Sequence, residues 1–127
     1  MIHTFLVMLG GAIGAAMRYH LGRAALRLFG AGWPYGTFAA NVLGGFAMGL
    51  LAGWLAMRAH GSGEQIRLFV AVGVLGGFTT FSSFSLETML MIERGEWASA
   101  LAYALLSVIV SIGALALGLF VMRGVPA

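Results

Sequence analysis

The stretch Gly73-Val74-Leu75-Gly76-Gly77-Phe78-Thr79-Thr80-Phe81-Ser82-Ser83-Phe84-Ser85-Leu86-Glu87 decides the architecture of this protein. It lies inside a long apolar window, Leu68 to Ile92, yet paired glycines followed by hydroxyls alternating with phenylalanines make a poor helix. A break is expected there. Irregular backbone at membrane depth is tolerated only where protein or a polar cavity satisfies its amides and carbonyls. Carbonyls freed at such a break can ligate a cation. The same string also fits a tight glycine kink that holds no ligand, and these residues alone leave both open.

The rest of the chain puts this stretch in a bilayer. Of its 127 residues 61% are hydrophobic and 9% charged, whereas soluble domains carry about 25% charged residues. Three further apolar windows, Ile2 to Phe29, Tyr35 to Met57 and Trp97 to Met122, each exceed the roughly 20 residues that a spanning helix needs. The expected spans are residues 2–29, 35–57, 68–92 and 97–122, in a single four-helix transmembrane domain covering 1–127. The fold class is therefore an all-α integral membrane protein with a broken third helix. Pro34 suits the entry to the second helix, where its missing N–H costs nothing, and His60-Gly61-Ser62-Gly63 reads as a flexible connector. The N-terminus has no basic segment ahead of its apolar run, so the first window reads as a membrane helix and not as a cleaved signal peptide.

Seven basic side chains, all arginine, face four acidic ones, all glutamate. The arginines are scattered singly and form no basic run, so nucleic acid is not an expected partner. The absence of cysteine excludes a disulfide framework, a thiolate metal site and a catalytic thiol. His3, His20 and His60 lie apart and suggest no metal site. An enzyme is not expected: there is no His–carboxylate pair and no nucleophile–base pattern. The glycine-rich strings also lack the Gly-Lys-Ser/Thr ending of a phosphate loop.

Orientation in a membrane follows the excess of basic residues on cytoplasmic loops, and here that excess is missing. Arg58, Arg67 and Arg123 fall on one side, and Arg23, Arg27 and Arg94 on the other. The chain is expected to insert both ways up. Two opposed copies can then pair about an axis in the membrane plane, using the same surface twice.

Residues four apart share a helix face. Helix 1 carries Gly10, Gly14, Arg18 and Gly22; helix 2 carries Thr37, Asn41, Gly45, Gly49 and Gly53; helix 4 carries Ser99, Tyr103, Ser107 and Ser111. The glycines read as close-packing faces. A single Ser or Thr often bonds back to the preceding turn, but successive polar steps are costly in hydrocarbon unless they find partners or line a wet path. Together with Thr37 and Asn41, the helix 4 stripe reads as a polar track. Phe78, Phe81 and Phe84 fit core packing, or a wall whose positive ring edges face an anion. Arg23 and Arg27 can snorkel to the interface. Arg18 can draw anions into a vestibule or pair with Glu87, and the sequence leaves both open.

These motifs carry a resemblance through all four spans. They are Gly10-Gly11-x-x-Gly14-x-x-x-Arg18-Tyr19, Pro34-x-Gly36-Thr37-x-x-x-Asn41-x-x-Gly44-x-Phe46-x-x-Gly49, the third-helix string from Gly76 to Glu87, and the Tyr103, Ser107, Ser111 stripe. The chain resembles the Fluc (CrcB) family of bacterial fluoride channels. The resemblance implies a dual-topology, antiparallel homodimer in the bacterial inner (plasma) membrane. Such a dimer passively exports cytoplasmic fluoride and protects the cell from fluoride toxicity. It also implies a structural Na+ at the dimer interface, held by the main-chain carbonyls of Gly76 and Thr79 from each copy. The fluoride pore then maps onto Asn41, Phe81, Phe84, Tyr103, Ser107, Ser111 and Thr37, the vestibule onto Arg18, and a possible end of the polar track onto Glu87. Ser83 and Gly45 stand where the family more often has Thr and Ser; the second change removes a hydroxyl near Asn41. The expected partners are a second copy, the lipid bilayer and fluoride. Two other classes remain: a small proton-coupled multidrug exporter, against which the lack of an acidic residue in helix 1 counts heavily, and a non-transporting membrane scaffold.

Overall fold

The structure, a computed structural model, describes residues 1–57 and 63–124, and all regular structure among them is helical. Helix α1 is Ile2–Phe29 and α2 is Tyr35–Met57. Three consecutive pieces, Gly63–Ile66, Arg67–Leu75 and Gly76–Phe78, run on as α3; α4 is Phe81–Glu93 and α5 is Trp97–Gly124. Taken as one stretch, Gly63–Glu93 is long and apolar enough to cross a membrane, as are the other three helices. The protein is a multi-pass membrane protein with four spans. Arg58 and the His60-Gly61-Ser62 part of the expected connector lie outside the described residues.

The third span starts earlier than its apolar window, because an exposed ion pair between Glu64 and Arg67, one turn apart, lies on its first turn. Pairs at that spacing support a helix while keeping both charges at the interface.

The third span does break, although not at its paired glycines. Gly76 is helical (φ −63°, ψ −38°), and the helix runs on to Phe78. The backbone opens at Thr79 (φ −87°, ψ 159°) and Thr80 (φ −154°, ψ 126°). Branching at Cβ favours this extended geometry, and the hydroxyls then tie off both helix ends. Thr79 Oγ1 donates to Leu75 O at 3.0 Å, while Thr80 Oγ1 accepts the Ser83 N–H at 3.2 Å as the N-cap of α4. Before the break, Arg67–Leu75 is wound as π-helix, a geometry that is rare and tends to occur at functional sites.

The glycines serve packing. A Cβ added at Gly14 would strike the Val74 carbonyl oxygen, and one at Gly77 would lie 2.6 Å from Gly11 O, so α1 and α3 meet backbone to backbone. In the same way α2 and α5 close on each other through Gly49 and Gly118, where a Cβ would strike Leu115 O and Phe46 O. Lipid gives no hydrophobic drive for helices to associate, so such close approach is what holds them. These two pairings are the most extensive in the chain, and α4 rests only lightly on α5. Large apolar side chains such as Ile109, Ile112 and Phe120 point outward, as a lipid-facing surface requires.

Gly14→Val is expected to destabilise the fold by about 1–3 kcal/mol through overpacking. Gly113→Ala, with nothing within 4 Å of its added Cβ, should be neutral. Thermal unfolding in detergent, followed by size-exclusion chromatography, checks both.

Candidate functional site

The site is built on one side chain, Asn41, which projects from α2 onto the break. An extended residue presents its N–H and its C=O to the same side, and a carboxamide matches both. Asn41 Oδ1 accepts the Thr80 N–H at 2.9 Å, and Asn41 Nδ2 donates to Thr80 O at 3.1 Å. One turn away, Gly44 leaves room for the Thr79 methyl group, which a Cβ there would strike.

This clasp diverts hydrogen bonds. In an unbroken helix the Thr80 N–H would close onto Gly76 O, and the Ser83 N–H onto Thr79 O. Instead they go to Asn41 Oδ1 and Thr80 Oγ1. Gly76 is exposed and Thr79 half-buried. Arg18 Nε donates to Gly77 O at 3.3 Å, which puts a guanidinium at the carbonyl end of α3, where the helix dipole is negative. Arg18 therefore sits on the break and does not pair with Glu87. Glu87 Oε1 instead accepts from the Tyr103 hydroxyl at 3.1 Å. Among the described residues, the ion pairs are Arg67–Glu64 and Arg94–Glu96.

Below the clasp lies a cleft of about 260 Å³ lined by Asn41, Thr79, Thr80, Phe81, Phe84, Ser107, Val108 and Ser111. Its back wall is unusual: the hydroxyls of Ser107 and Ser111 on α5 are buried and have no hydrogen-bond partner in the structure. Ser107 is 6% exposed. A hydroxyl left unsatisfied at such a depth costs about 1–3 kcal/mol, and these two are uncharged donors without an acceptor. The front is open, with Phe81 77% exposed and its ring 5.7 Å from that of Phe84. Tyr103, fully buried, lies tilted against Phe84 with ring centroids 5.2 Å apart.

The fold thus brings Asn41, Phe81, Phe84, Ser107 and Ser111 onto one cleft with Thr79, and sets Tyr103 behind it. Thr37 and Glu87 fall elsewhere, on a second cavity of about 300 Å³ where α1 ends and α2 begins, which Arg94 also lines. Ser99 shares the α5 stripe by spacing yet is exposed and joins neither cavity. A Cβ at Gly45 would come within 2.9 Å of Ser111 O. Here the absence of a serine belongs to the close fit of α2 on α5. Reading the sequence missed Thr80 as the pivot of the break; its signal was the β-branched pair Thr79-Thr80.

A family model described as "CrcB-like protein, Camphor Resistance (CrcB)" matches residues 5–119. The chain belongs to the CrcB family. The matched segment holds every residue of the cleft. Among its relatives, a protein of Phenylobacterium zucineum (strain HLK1) is 59% identical over 120 residues, covering 94% of each chain. One of Caulobacter vibrioides (strain NA1000 / CB15N) is 56% identical over 120 residues, again covering 94% of each. One of Novosphingobium aromaticivorans is 54% identical over 127 residues, covering 98% of this chain and 99% of its own. All three are named "Fluoride-specific ion channel FluC".

In this CrcB chain, Asn41→Ala leaves both the N–H and the carbonyl of Thr80 without a partner, at about 1–3 kcal/mol for each group. Stability in detergent should fall by about 2–6 kcal/mol, read from unfolding by denaturant or heat. An unchanged midpoint would show that the break stands without the clasp.

Proposed function

We propose that the protein is a fluoride-selective channel that lets cytoplasmic fluoride leave the cell passively, and that the cleft below the helix break is half of its ion path. The observation that carries this reading is the pair of buried, partnerless hydroxyls on Ser107 and Ser111, residues that line one cleft with Phe81 and Phe84. Fluoride is small and strongly hydrated, so a narrow path must offer donors in place of water, and hydroxyls do so. Conduction also requires that no site hold the ion too tightly. A cleft of neutral donors and weakly positive ring edges meets both demands, because it gives the anion no fixed countercharge. The names of the relatives support the same ion.

An open polar cleft facing lipid would leave its donors unsatisfied, which supports a second copy as its cover. Arg67 and Arg123 on one side of the membrane against Arg23, Arg27 and Arg94 on the other give little instruction about orientation. That near-balance supports an antiparallel homodimer. The same reading takes the carbonyls of Gly76 and Thr79 as ligands of a structural Na+. What supports it is that each has lost the N–H that would close the helix onto it, and main-chain oxygen at a broken helix suits an alkali cation. When bound, the cation would supply positive potential beside the anion path and hold two breaks together. Asn41 would keep both carbonyls free by retaining Thr80.

Fluoride efflux from liposomes reconstituted with the purified protein tests the reading, and chloride passing at a comparable rate would overturn it. The Ser107→Ala/Ser111→Ala variant should lose at least tenfold of the flux, the effect of two lost hydrogen bonds of about 1 kcal/mol each. Phe81→Ile should abolish flux while the protein still elutes as an assembled species.

A further inference from the structure

The loop between α1 and α2 places an aromatic side chain, Trp33, against Tyr103. Gly30 takes a positive φ of 82° that other residues adopt rarely, and Pro34 stiffens the far end of the loop. Across Pro34 the Tyr35 N–H bonds to Trp33 O at 2.8 Å. This tight turn points the half-buried Trp33 inward. Its ring meets Tyr103 edge-on at 5.1 Å and 84°, and also contacts Phe38 at 5.2 Å and Tyr35 at 5.1 Å.

Tyr103 lines neither cavity, yet it touches the wall of each. Phe84, against one side of its ring, belongs to the cleft; Trp33 and its hydrogen-bond partner Glu87 belong to the mouth cavity. By these contacts Tyr103 joins the two walls, and its hydroxyl donates to Glu87 of α4, which rests lightly on α5. Phe84 and Trp33 both pack against its ring, in a cluster that also holds Phe38, Met91 and Ile92.

Resting on the channel reading above, we propose that Trp33 is a positioning residue for ion passage: it holds the Tyr103 hydroxyl on Glu87 and so sets the opening between cleft and mouth cavity. Trp33 acts through the placement of that hydroxyl and needs no contact with the ion. An edge-on aromatic contact is what the role requires, so phenylalanine should serve and an aliphatic side chain should not.

The test compares fluoride efflux from liposomes for the wild type, Trp33→Phe, Trp33→Leu, Tyr103→Phe and the Trp33→Leu/Tyr103→Phe double variant, each checked for assembly by size exclusion. Trp33→Leu should slow efflux by about three- to tenfold, and Trp33→Phe should stay within about twofold of wild type. In the Tyr103→Phe background Trp33→Leu should cost little more, because the hydroxyl it positions is already gone. Equal losses in the two backgrounds, or full flux in Trp33→Leu, would overturn the role. A second readout needs no flux: with Trp54 and Trp97 replaced by Phe, Tyr103→Leu should red-shift the emission of Trp33 as the indole loses its cover. An unmoved emission would also overturn it. If the wild type passes no fluoride, the channel reading falls and the positioning role with it; wild-type flux with an unaffected Trp33→Leu removes the positioning role alone.

Discussion

The structure depends on how two threonines can leave a helix in the middle of a membrane. Hydrocarbon offers no water to an open peptide group, so every N–H and C=O released at Thr79 and Thr80 must be met by protein or stay costly. Asn41 meets Thr80 with both ends of its carboxamide. In effect the side chain replaces a strand neighbour, and a single residue from α2 makes an extended step tolerable at that depth. The α4 cap by Thr80, the approach of Arg18 to Gly77 and the cleft beneath all depend on that step.

Close helix contact makes the clasp possible. Asn41 reaches the break because α2 carries a glycine one turn further on, where the Thr79 methyl fits. On the opposite face of the bundle, α1 and α3 touch through glycines whose added Cβ atoms would meet backbone oxygen. Such contacts have little slack, since neither side can yield by turning a side chain. They fix the height of one helix against the next, which decides which polar groups face each other. The same tightness accounts for Gly45: a larger residue would push α2 off α5 and open the wall that carries Ser111.

The polar groups divide into those already satisfied and those left open. Thr79, Thr80, Asn41 and Arg18 spend hydrogen bonds on holding the break. Ser107 and Ser111 have no such partner. A purely structural role would be expected to satisfy them. Tyr103 touches Phe84 of that cleft and Trp33 of the second cavity.

Much of this was legible in residue order. Membrane residence and four spans follow from the run lengths of apolar residues, and the weakness of the third helix from the string Gly76 to Ser85; both are local sums that need no partner. The grouping of Ser107 and Ser111 came from simple helical spacing. Other features depend on which faces meet, and local periodicity does not encode that. The break falls on the threonines because Asn41, 39 residues away, is there to receive Thr80. Arg18 bonds to Gly77 instead of Glu87 because the α1–α3 contact brings them together across 59 positions. Thr37 and Glu87 line the second cavity, where Glu87 accepts from Tyr103, and Trp33 meets Tyr103 from the loop that turns at Gly30. The chain alone determined that a polar, breakable segment would cross the bilayer. Only the packing of helix on helix decided where it breaks and which donors are left without a partner.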